Sequence, residues 1–432
     1  GVLPYVDVWD RKPPGLFLLY GMLATLGTTV WIYQVAACLA AAATALLVAR
    51  LVERLGGNRP GGLAAGLAYL FTLLPFGGDS GQAPDLYNPL VAAAALLVVG
   101  ESAALARARV RPGCWAAMAL CGLAISIKQT AAFESAFLGL WLCGSLLAAG
   151  VRLPRLLFLA AGWIALGLLP MLSFATFYAV IGHFPEFRHA MVGSNFAKAR
   201  VGGEGTRAIG IALRVAPLAA FAVAGTIGAR GARRGFLDGW LLAALAGFLA
   251  VPNFYGHYLL PMLVPLCVAA GLCLSRSRHR WLFAAILACW ALVWESPPPP
   301  GQTRQSRQAM TAMAAFVRAH DPGGGLLVFD GPPLLYAASG ERFLTPLVFP
   351  NHLDHAIEAD VSHLATGREL ARVLARHPGV IAMAREPRNQ PVNADSYRQV
   401  TAYIAAHCPR QWQSPAIGPY AANPIVFAGD CR

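Results

Sequence analysis

Charged side chains are scarce in this 432-residue sequence: Asp, Glu, Lys and Arg make up 13% of it, whereas hydrophobic residues make up 57%. Soluble domains carry roughly 25% charged residues, so this composition excludes an ordinary soluble protein. The sequence also lacks a P-loop, a GxSxG nucleophile elbow and a dinucleotide fingerprint, so ATP-driven transport and serine hydrolysis have no support. The scarcity of charge indicates a membrane protein.

Apolar runs of the length that crosses a bilayer recur from Val30 to Trp294. They predict a polytopic bundle of about ten transmembrane helices. The runs span 28–49, 61–77, 86–105, 113–127, 130–149, 156–181, 207–227, 236–250, 258–274 and 281–295. No signal peptide precedes the opening polar loop, and we expect the natural amino terminus to lie upstream of Gly1.

Arginine is concentrated in five loops between these runs, and these loops alternate with loops of mixed charge. Cytoplasmic loops of membrane proteins are enriched in Lys and Arg, so we predict that these five loops face the cytoplasm. By alternation, the opening loop and all residues after Trp294 are predicted to be periplasmic. The same bias explains the net charge of +13 without a nucleic-acid partner. The five loops contain Arg50, Arg54 and Arg59; Arg107, Arg109 and Arg111; Arg152 and Arg155; Arg230, Arg233 and Arg234; and Arg276, Arg278 and Arg280.

The composition changes at "ESPPPPGQ", where four consecutive prolines predict a stiff, extended linker. Beyond the linker, helical patterns alternate with short strand patterns, which is typical of a small α/β module. We therefore expect a mainly α protein with four parts: a first periplasmic loop over 1–14, a transmembrane domain over 15–295, a linker over 296–302 and a periplasmic α/β domain over 303–432.

Seven of the nine cysteines fall inside the apolar runs, where a thiol behaves as a small hydrophobic group. The other two, Cys408 and Cys431, lie in the C-terminal module. In an oxidising compartment they could form a disulfide; two unrelated free thiols are the alternative.

The opening loop, "PYVDVWDRKPPGLFLLYG", places charges directly beside a leucine-rich run. Lys12 precedes Pro13 and should be extended, and Pro14 is suited to the first position of a helix. Tyr5 and Trp9 are predicted to be interfacial anchors. A lysine beside Asp7 and Asp10 could stabilise a departing phosphate while a carboxylate acts as general base. A loop whose charges only fix the helix end is the alternative.

Four further segments carry candidate site residues on the predicted outer side. Asp85 begins a helix and could bind a sugar or acceptor, or simply cap the helix. Lys128 ends a helix and could contact a phosphate, or extend to the membrane surface. His257 and Tyr258, with Tyr255, precede a helix whose amino terminus would attract an anion, although aromatic belt residues look similar.

"NHLDH" is the fourth segment, and it brings His352, Asp354 and His355 close together in the sequence. The spacing lacks a helical HExxH signature, so an exposed polar loop is favoured over a metal site.

The chain resembles the bacterial multi-helix membrane glycosyltransferases related to protein O-mannosyltransferases and the aminoarabinose transferase of lipid A. The resemblance rests on "LPYVDVWDRKPPGLFLLYG", "GLAISIKQTA", "NFYGHYLLPMLVPL" and "LLYAASGERFLTPLVFPNHL". It implies a GT-C-type helix bundle, a periplasmic domain and a polyprenyl-phosphate sugar donor, with Lys12 as the lysine that contacts the donor phosphate. The family's catalytic aspartate lies in an Asp-Glu pair upstream of this lysine, and this sequence begins too late to contain it; Asp7 or Asp10 could share its work.

Together these features predict a membrane glycosyltransferase. An acceptor hydroxyl on a glycan, lipid or protein attacks the anomeric carbon, the configuration inverts, and the lipid phosphate leaves beside Lys12, Lys128, His257 and Tyr258. None of these residues requires a cofactor, and the sequence leaves open whether a divalent metal takes part in the reaction. A transporter or lipid flippase would need polar residues within its helices, where Glu134 and Arg214 are the main ones. A third interpretation of the sequence is an oligosaccharide polymer ligase.

Overall fold

The computed structural model describes residues 2–27, 29–197, 202–251, 253–295, 299, 301–321 and 323–432. Four residues of the predicted linker, Ser296, Pro297, Pro298 and Pro300, lie outside this part. The chain divides into two compact units. Unit 1 comprises Gly1–Lys12, Phe177–Val201 and Pro297–Arg432, and unit 2 comprises Pro13–Thr176 and Gly202–Ser296.

Unit 2 is helical throughout. Its helices are α1 (Pro14–Thr25), α2 (Val30–Arg54), α3 (Arg59–Thr72), α4 (Ala83–Gly100), α5 (Ser102–Leu105), α6 (Pro112–Ile127), α7 (Ala131–Ala148), α8 (Leu153–Val180, whose last residues belong to unit 1), α11 (Glu204–Gly228), α12 (Gly231–Leu249), α13 (Leu260–Arg276) and α14 (Arg280–Trp294). Unit 1 contributes the two short helices between α8 and α11, α9 (Phe184–Arg188) and α10 (Ser194–Ala197).

Each predicted apolar run overlaps one of these helices, so the prediction of a polytopic helical bundle is confirmed. By length and composition, α2, α4, α7, α8 and α11 could each cross a membrane, and α1, α6, α13 and α14 are shorter apolar helices. The predicted run 258–274 is displaced by two residues, because a 3-10 turn over Gly256–Tyr258 precedes α13. Helix α4 begins at Ala83 rather than at residue 86, which places Asp85 in its first turn.

Small residues let the helices of unit 2 approach closely. A Cβ added at Gly62 would lie 2.6 Å from the carbonyl oxygen of Ala49, and one at Gly66 would lie 2.6 Å from that of Ala45. These pairs, each spaced by four residues, bring α3 and α2 backbone to backbone. Such packing is a main source of helix association in a bilayer, where lipid tails are as apolar as leucine.

The C-terminal part of unit 1 is an α/β module around a four-stranded sheet of order β1-β2-β4-β3. The first pair of strands is parallel and the other two pairs are antiparallel. The elements are α15 (Gln302–His320), β1 (Leu326–Asp330), α16 (Leu334–Ser339), α17 (Asn351–Asp354), α18 (Thr366–Leu374), β2 (Val380–Ala384), α19 (Ala394–His407), β3 (Arg410–Gln413) and β4 (Ile425–Gly429).

The alternation of helical and strand patterns that the sequence shows beyond the linker is present, as α15, β1, α18, β2, α19 and β4. These patterns did not predict β3, because its sequence "RQWQ" is polar and mostly exposed at the sheet edge. Cys408 and Cys431 are joined by a disulfide that links the residue after α19 to the segment that follows β4. The other seven cysteines, all within the described residues, are free.

Candidate active site

The backbone of residues 3–12, which we call the Lys12 loop, is anchored by two aromatic side chains. Tyr5 and Trp9 are both fully buried, so the expectation that they are interfacial anchors is wrong. Tyr5 packs against Tyr178 and Phe187, with ring centroids 5.4 and 5.9 Å away. The Trp9 amide donates to the Pro346 carbonyl at 2.8 Å. These contacts hold the loop inside unit 1.

Lys12 is presented from a fixed backbone. Its carbonyl accepts a hydrogen bond from the Tyr5 hydroxyl at 2.7 Å. The next residue, Pro13, is extended (φ −62°, ψ 155°) and α1 begins at Pro14, as the sequence predicts. The Lys12 side chain is 47% exposed, and its Nζ lies 3.0 Å from Oδ2 and 3.2 Å from Oδ1 of Asp10. The ammonium group is therefore oriented by Asp10 and still accessible.

The two aspartates of the loop have different partners. Burial alone would raise the pKa of Asp10, but the charge and hydrogen bond of Lys12 outweigh it, so the pKa of Asp10 lies below its usual value. Asp10 also accepts a hydrogen bond from the Arg11 amide at 2.6 Å. Asp7 is exposed, and its carboxylate accepts from the Leu3 amide at 2.7 Å. Both carboxylates thus have roles in shaping the loop.

Arg11 connects the loop to the C-terminal module. Its guanidinium donates to both carboxylate oxygens of Glu358, at 2.9 and 2.8 Å. His352 lies beside this pair, with Nδ1 4.0 Å from Glu358 Oε2. Burial lowers the pKa of His352 to about 4, so the ring is neutral at pH 7. The sequence did not identify Arg11 and Glu358 as partners, because no local pattern indicates that two residues 347 positions apart are in contact.

The "NHLDH" segment is buried, so the expectation of an exposed polar loop is wrong. His352, Asp354 and His355 are 3%, 0% and 7% exposed. Asp354 accepts two hydrogen bonds from the Asn389 amide, at 3.1 and 3.0 Å, and Nε2 of His355 bonds to the Gln390 carbonyl oxygen at 3.0 Å. Each side chain is thus used in packing the module. Among the described residues, no group of three or more His, Cys, Asp or Glu side chains could hold a metal ion.

Asp85 is the most unusual carboxylate of unit 2. It is fully buried in the first turn of α4, and within the described part of the chain neither oxygen has a hydrogen-bond partner. The Gln82 amide interacts with it electrostatically without a hydrogen bond of normal geometry, and Lys128 also lies within electrostatic range. Asp85 therefore does not cap α4. A buried polar group without partners is costly and calls for another explanation.

Lys128 stands at one end of a row of cations and rings, which we call the Tyr258 cluster. Its Nζ lies 4.6 Å from the centre of the Tyr258 ring, and the His257 ring lies 4.3 Å from the same ring. His257 is parallel to Tyr255, with centroids 6.0 Å apart. Arg207 closes the row, with its guanidinium carbon 5.6 Å from the centre of Tyr255. All five side chains are half-buried.

Arg207 is a member of this cluster that the sequence did not reveal. It lies in the first turn of α11, and its Nε donates to the Asn253 carbonyl at 2.8 Å. This bond fixes the segment that carries Tyr255, His257 and Tyr258. The sequence signal was an arginine in a loop of mixed charge, which by itself does not indicate a contact with "NFYGHY".

Two contacts hold the neighbouring helices in position around Lys128 and Asp85. The Asn88 amide on α4 donates to the Leu260 carbonyl at the start of α13, at 3.2 Å. The start of α1 packs so tightly on the end of α6 that a Cβ added at Gly15 would overlap Ser126. In the sequence, Gly15 is three residues after Lys12 and Ser126 is two residues before Lys128.

Glu134 and Arg214 are both occupied in packing. Oε1 of Glu134, at the start of α7, accepts a hydrogen bond from the Trp240 indole at 2.7 Å. Arg214 on α11 donates to the Pro75 carbonyl at 3.2 Å and lies 5.2 Å from the centre of the Trp294 ring. Neither arrangement resembles a polar path through the bundle.

No protein-family model matches the chain, and no curated protein matches it. Among solved structures, it matches the crystal structure of ArnT from Cupriavidus metallidurans in the apo state, with a TM-score of 0.62, 14% identity, and coverage of 96% of this chain and 87% of that chain. It matches the same protein bound to undecaprenyl phosphate with a TM-score of 0.60, 13% identity, and coverage of 96% and 88%. The chain therefore has the ArnT-like, GT-C fold that the resemblance implied.

Proposed function

We propose that this chain is an integral-membrane glycosyltransferase that transfers a sugar from a polyprenyl-phosphate donor to an acceptor hydroxyl. The observation that carries the proposal is Asp85, a fully buried carboxylate without hydrogen-bond partners among the described residues, in electrostatic range of Lys128. A carboxylate kept in such a state is prepared to accept a hydrogen bond from a hydroxyl group. The fold shared with ArnT bound to undecaprenyl phosphate supports the class of donor.

The Tyr258 cluster is proposed as a phosphate contact. Its two cations, Lys128 and Arg207, stand at the ends of a row of rings, 4.6 and 5.6 Å from the nearest ring centre. A cation held over an aromatic face keeps its full charge for an anion. His257 and the Tyr258 hydroxyl can donate hydrogen bonds to phosphate oxygens, and Tyr255 can contact the sugar face.

Lys12 is proposed as the ligand that stabilises the leaving phosphate. The Asp10 carboxylate holds its ammonium group at 3.0 Å, and a dianionic or monoanionic phosphate would compete with Asp10 for it. When Lys12 turns to the phosphate, Asp10 loses the charge that lowers its pKa and becomes a stronger base. The ion pair would then couple donor binding to activation of a carboxylate, with Asp7 as the second candidate base.

The reaction follows from these roles. A carboxylate takes the proton from the acceptor hydroxyl, and the oxygen forms a bond to the anomeric carbon as the bond from that carbon to the phosphate oxygen breaks. The electron pair leaves with the lipid phosphate, whose charge the cationic side chains stabilise. Attack opposite the leaving group inverts the anomeric configuration. Asp85 orients a hydroxyl of the sugar or of the acceptor.

The reaction is proposed to take place at the periplasmic face of a bacterial inner membrane. The Cys408–Cys431 disulfide supports an oxidising compartment for the C-terminal module. The five arginine-containing loops support a cytoplasmic location for the opposite ends of the helices.

The function is tested by mixing the purified chain with radiolabelled polyprenyl-phosphate sugars and measuring release of the lipid phosphate. A transferase releases it when a hydroxyl acceptor is present. A flippase would move the labelled lipid between leaflets of a vesicle and leave the sugar–phosphate bond intact, and that result would replace the proposal.

A further inference from the structure

A cavity lies in unit 2, at the end of α13 that is remote from Tyr258. It has a volume of about 480 Å³ and is formed by the ends of α2, α3, α11, α12 and α13. Helix α13 starts two residues after Tyr258 and ends at Arg276, which lines the cavity. Its 17 residues span about 25 Å, so the cavity is separate from the Tyr258 cluster.

The walls of this cavity are built from hydrogen-bonded helix ends rather than from loose loops. The Asn58 side chain caps α3 by accepting from the Gly61 amide at 2.9 Å, and its Nδ2 donates to the Ser275 carbonyl at 2.7 Å. On the other side, Nη2 of Arg276 donates to the Gly228 carbonyl at 2.6 Å. Both walls therefore attach to the end of α13, and the cavity keeps its shape.

The charge of the cavity is strongly positive and is not balanced. Its lining includes Arg230, Arg233 and Arg276, and no acidic side chain among the residues that the structure describes. Arg276 is bound to Gly228, but Arg230 and Arg233 have no ion-pair or hydrogen-bond partner within the described residues. The two acidic side chains on these helix ends have other partners. Glu53 pairs with Arg50 at 3.2 Å, and Asp238 pairs with Arg234 at 3.3 Å.

The rest of the lining is apolar or uncharged, and exposed aliphatic side chains follow it on α11. Leu55, Ala229 and Leu272 are buried and form the apolar part of the lining. On the last turns of α11, next to the cavity, Val223 and Ile227 are 56% and 65% exposed. An anion with attached hydrocarbon would find guanidinium groups for its charge and exposed aliphatic side chains for its chain.

We propose that this cavity binds the phosphate head group of an anionic membrane lipid, with Arg230 and Arg233 as its ligands. The planar fork of a guanidinium group matches two phosphate oxygens, and basic pockets between transmembrane helices are suited to acidic head groups. These arginines belong to the loops predicted to be cytoplasmic, so the ligand is a phospholipid of that leaflet. A free phosphate shares the head group's charge but lacks the hydrocarbon that the surface of α11 accommodates.

The test uses the full purified chain in nanodiscs and does not depend on the transferase reaction. Thermal unfolding is measured in phosphatidylcholine alone, with added phosphatidylglycerol, and with inorganic phosphate in place of the anionic lipid. Retention of phosphatidylglycerol is then measured by native mass spectrometry. The comparison is between the wild type, the double variant Arg230→Gln/Arg233→Gln, and Arg234→Gln, a neighbouring arginine that pairs with Asp238 and does not line the cavity.

We expect phosphatidylglycerol to raise the unfolding temperature of the wild type and of Arg234→Gln. In the double variant, we expect affinity for this lipid to fall roughly thirtyfold, since each basic residue near the surface contributes about a fivefold factor. In phosphatidylcholine the double variant should unfold at nearly the same temperature as the wild type, because Arg230 and Arg233 have no ion pair or hydrogen bond within the described residues. Arg234→Gln should lose little stability, because its ion pair with Asp238 is exposed. Equal lipid retention by the double variant and the wild type would overturn the proposal. Stabilisation by inorganic phosphate to the same degree as by the lipid would overturn the assignment to a lipid.

Discussion

The Arg11 guanidinium donates two hydrogen bonds to the Glu358 carboxylate although 347 residues separate them in the sequence. Arg11 directly precedes Lys12, so this ion pair fixes the backbone that presents the lysine. The Glu358 side chain is 5% exposed and the Arg11 side chain 20%. In this position the pair is largely shielded from solvent, and a single guanidinium nitrogen, Nη2, donates to both carboxylate oxygens.

The first prediction concerns the strength of this pair. Glu358→Gln should lower the free energy of unfolding of unit 1 by about 3 kcal/mol, because it leaves the Arg11 charge buried without a counter-charge. Arg11→Gln should have a similar effect, and the double variant should lose much less than the sum. Chemical unfolding of the four proteins measures the coupling.

The matched control is the Arg398–Asp395 pair, whose side chains are 79% and 75% exposed and should show no measurable coupling. Additive losses for Arg11 and Glu358 would show that the pair does not stabilise the loop.

The second prediction concerns Lys12. Lys12→Ala should reduce transfer at least a hundredfold, because the ammonium group acts on the substrate. The loss of its ion pair with Asp10 should lower the unfolding temperature only slightly, because the lysine side chain is 47% exposed. Initial rates with a labelled polyprenyl-phosphate sugar provide the measurement. Arg304→Ala, which removes an exposed cation from α15 in the same unit, is the control and should be as active as wild type. Near-normal turnover by Lys12→Ala would contradict the assigned role.

The third prediction separates stability from activity at Asp85. Asp85→Asn replaces a buried carboxyl group whose oxygens have no hydrogen-bond partner among the described residues, so the unfolding temperature should stay the same or rise. Activity should fall by about two orders of magnitude or more, because an amide orients a substrate hydroxyl group less strongly than a carboxylate does. An active variant with a lower unfolding temperature would instead indicate that Asp85 serves the fold.

The fourth prediction concerns pH and His352. The pKa of this ring is about 4 in the folded protein against an ordinary 6.5, because burial disfavours the charged form. Between these values the unfolded chain binds a proton that the folded chain does not, so His352 makes the protein less stable as the pH falls from about 6.5 to 4. Compared with His352→Gln, the wild type should therefore lose on the order of 2 kcal/mol over this range. Unfolding curves of both proteins from pH 7 to pH 4.5 measure the difference.

Asp354 should act in the opposite direction and provides a check on the sign. Burial raises its pKa to about 7 from an ordinary 3.8. The folded protein then holds a proton that the unfolded chain releases, so this group adds stability as the pH falls from 7 towards 3.8. The stabilisation of wild type relative to Asp354→Asn should grow on acidification. Stability curves that stay parallel for the wild type and His352→Gln would contradict the buried environment of His352. A stabilisation of the wild type relative to Asp354→Asn that shrinks on acidification would contradict the buried environment of Asp354.

The helices and the start of α1 after Pro13 could be predicted from the sequence because their signals are local. An apolar run indicates a bundle helix wherever it occurs, and a proline is well suited to the first position of a helix. The partners of these residues could not be predicted. Arg11 meets Glu358, and Arg207 meets Tyr255, only after distant segments have packed together. Tyr5 and Trp9 were misplaced for the same reason, since the sequence does not show which aromatic residues will be covered.

The absence of a partner is also hidden from the sequence. Asp85 in the first turn of a helix has the pattern of an ordinary capping residue or a charge that compensates the helix dipole. The sequence left a substrate-binding role and a capping role open for Asp85. Its burial without a hydrogen bond of normal geometry, within range of the Lys128 charge, supports the proposed substrate-binding role.

The fifth prediction concerns the Cys408–Cys431 disulfide. The bond closes a loop with a sequence separation of 23, so Cys408→Ser/Cys431→Ser should lower the stability of unit 1 by about 3 kcal/mol. A reducing agent should lower the unfolding temperature of wild type to that of the double variant and leave the double variant unchanged, since the other cysteines are free. Insensitivity of the wild type to reduction would show that the bond contributes nothing.

The most direct test of the central claim is a structure of the full chain with a bound polyprenyl phosphate, determined in a nanodisc. We predict that phosphate oxygens lie about 3 Å from Nζ of Lys12 and that the Lys12–Asp10 ion pair is opened. A phosphate held only by Arg230 and Arg233, with Lys12 still paired to Asp10, would contradict the proposed active site.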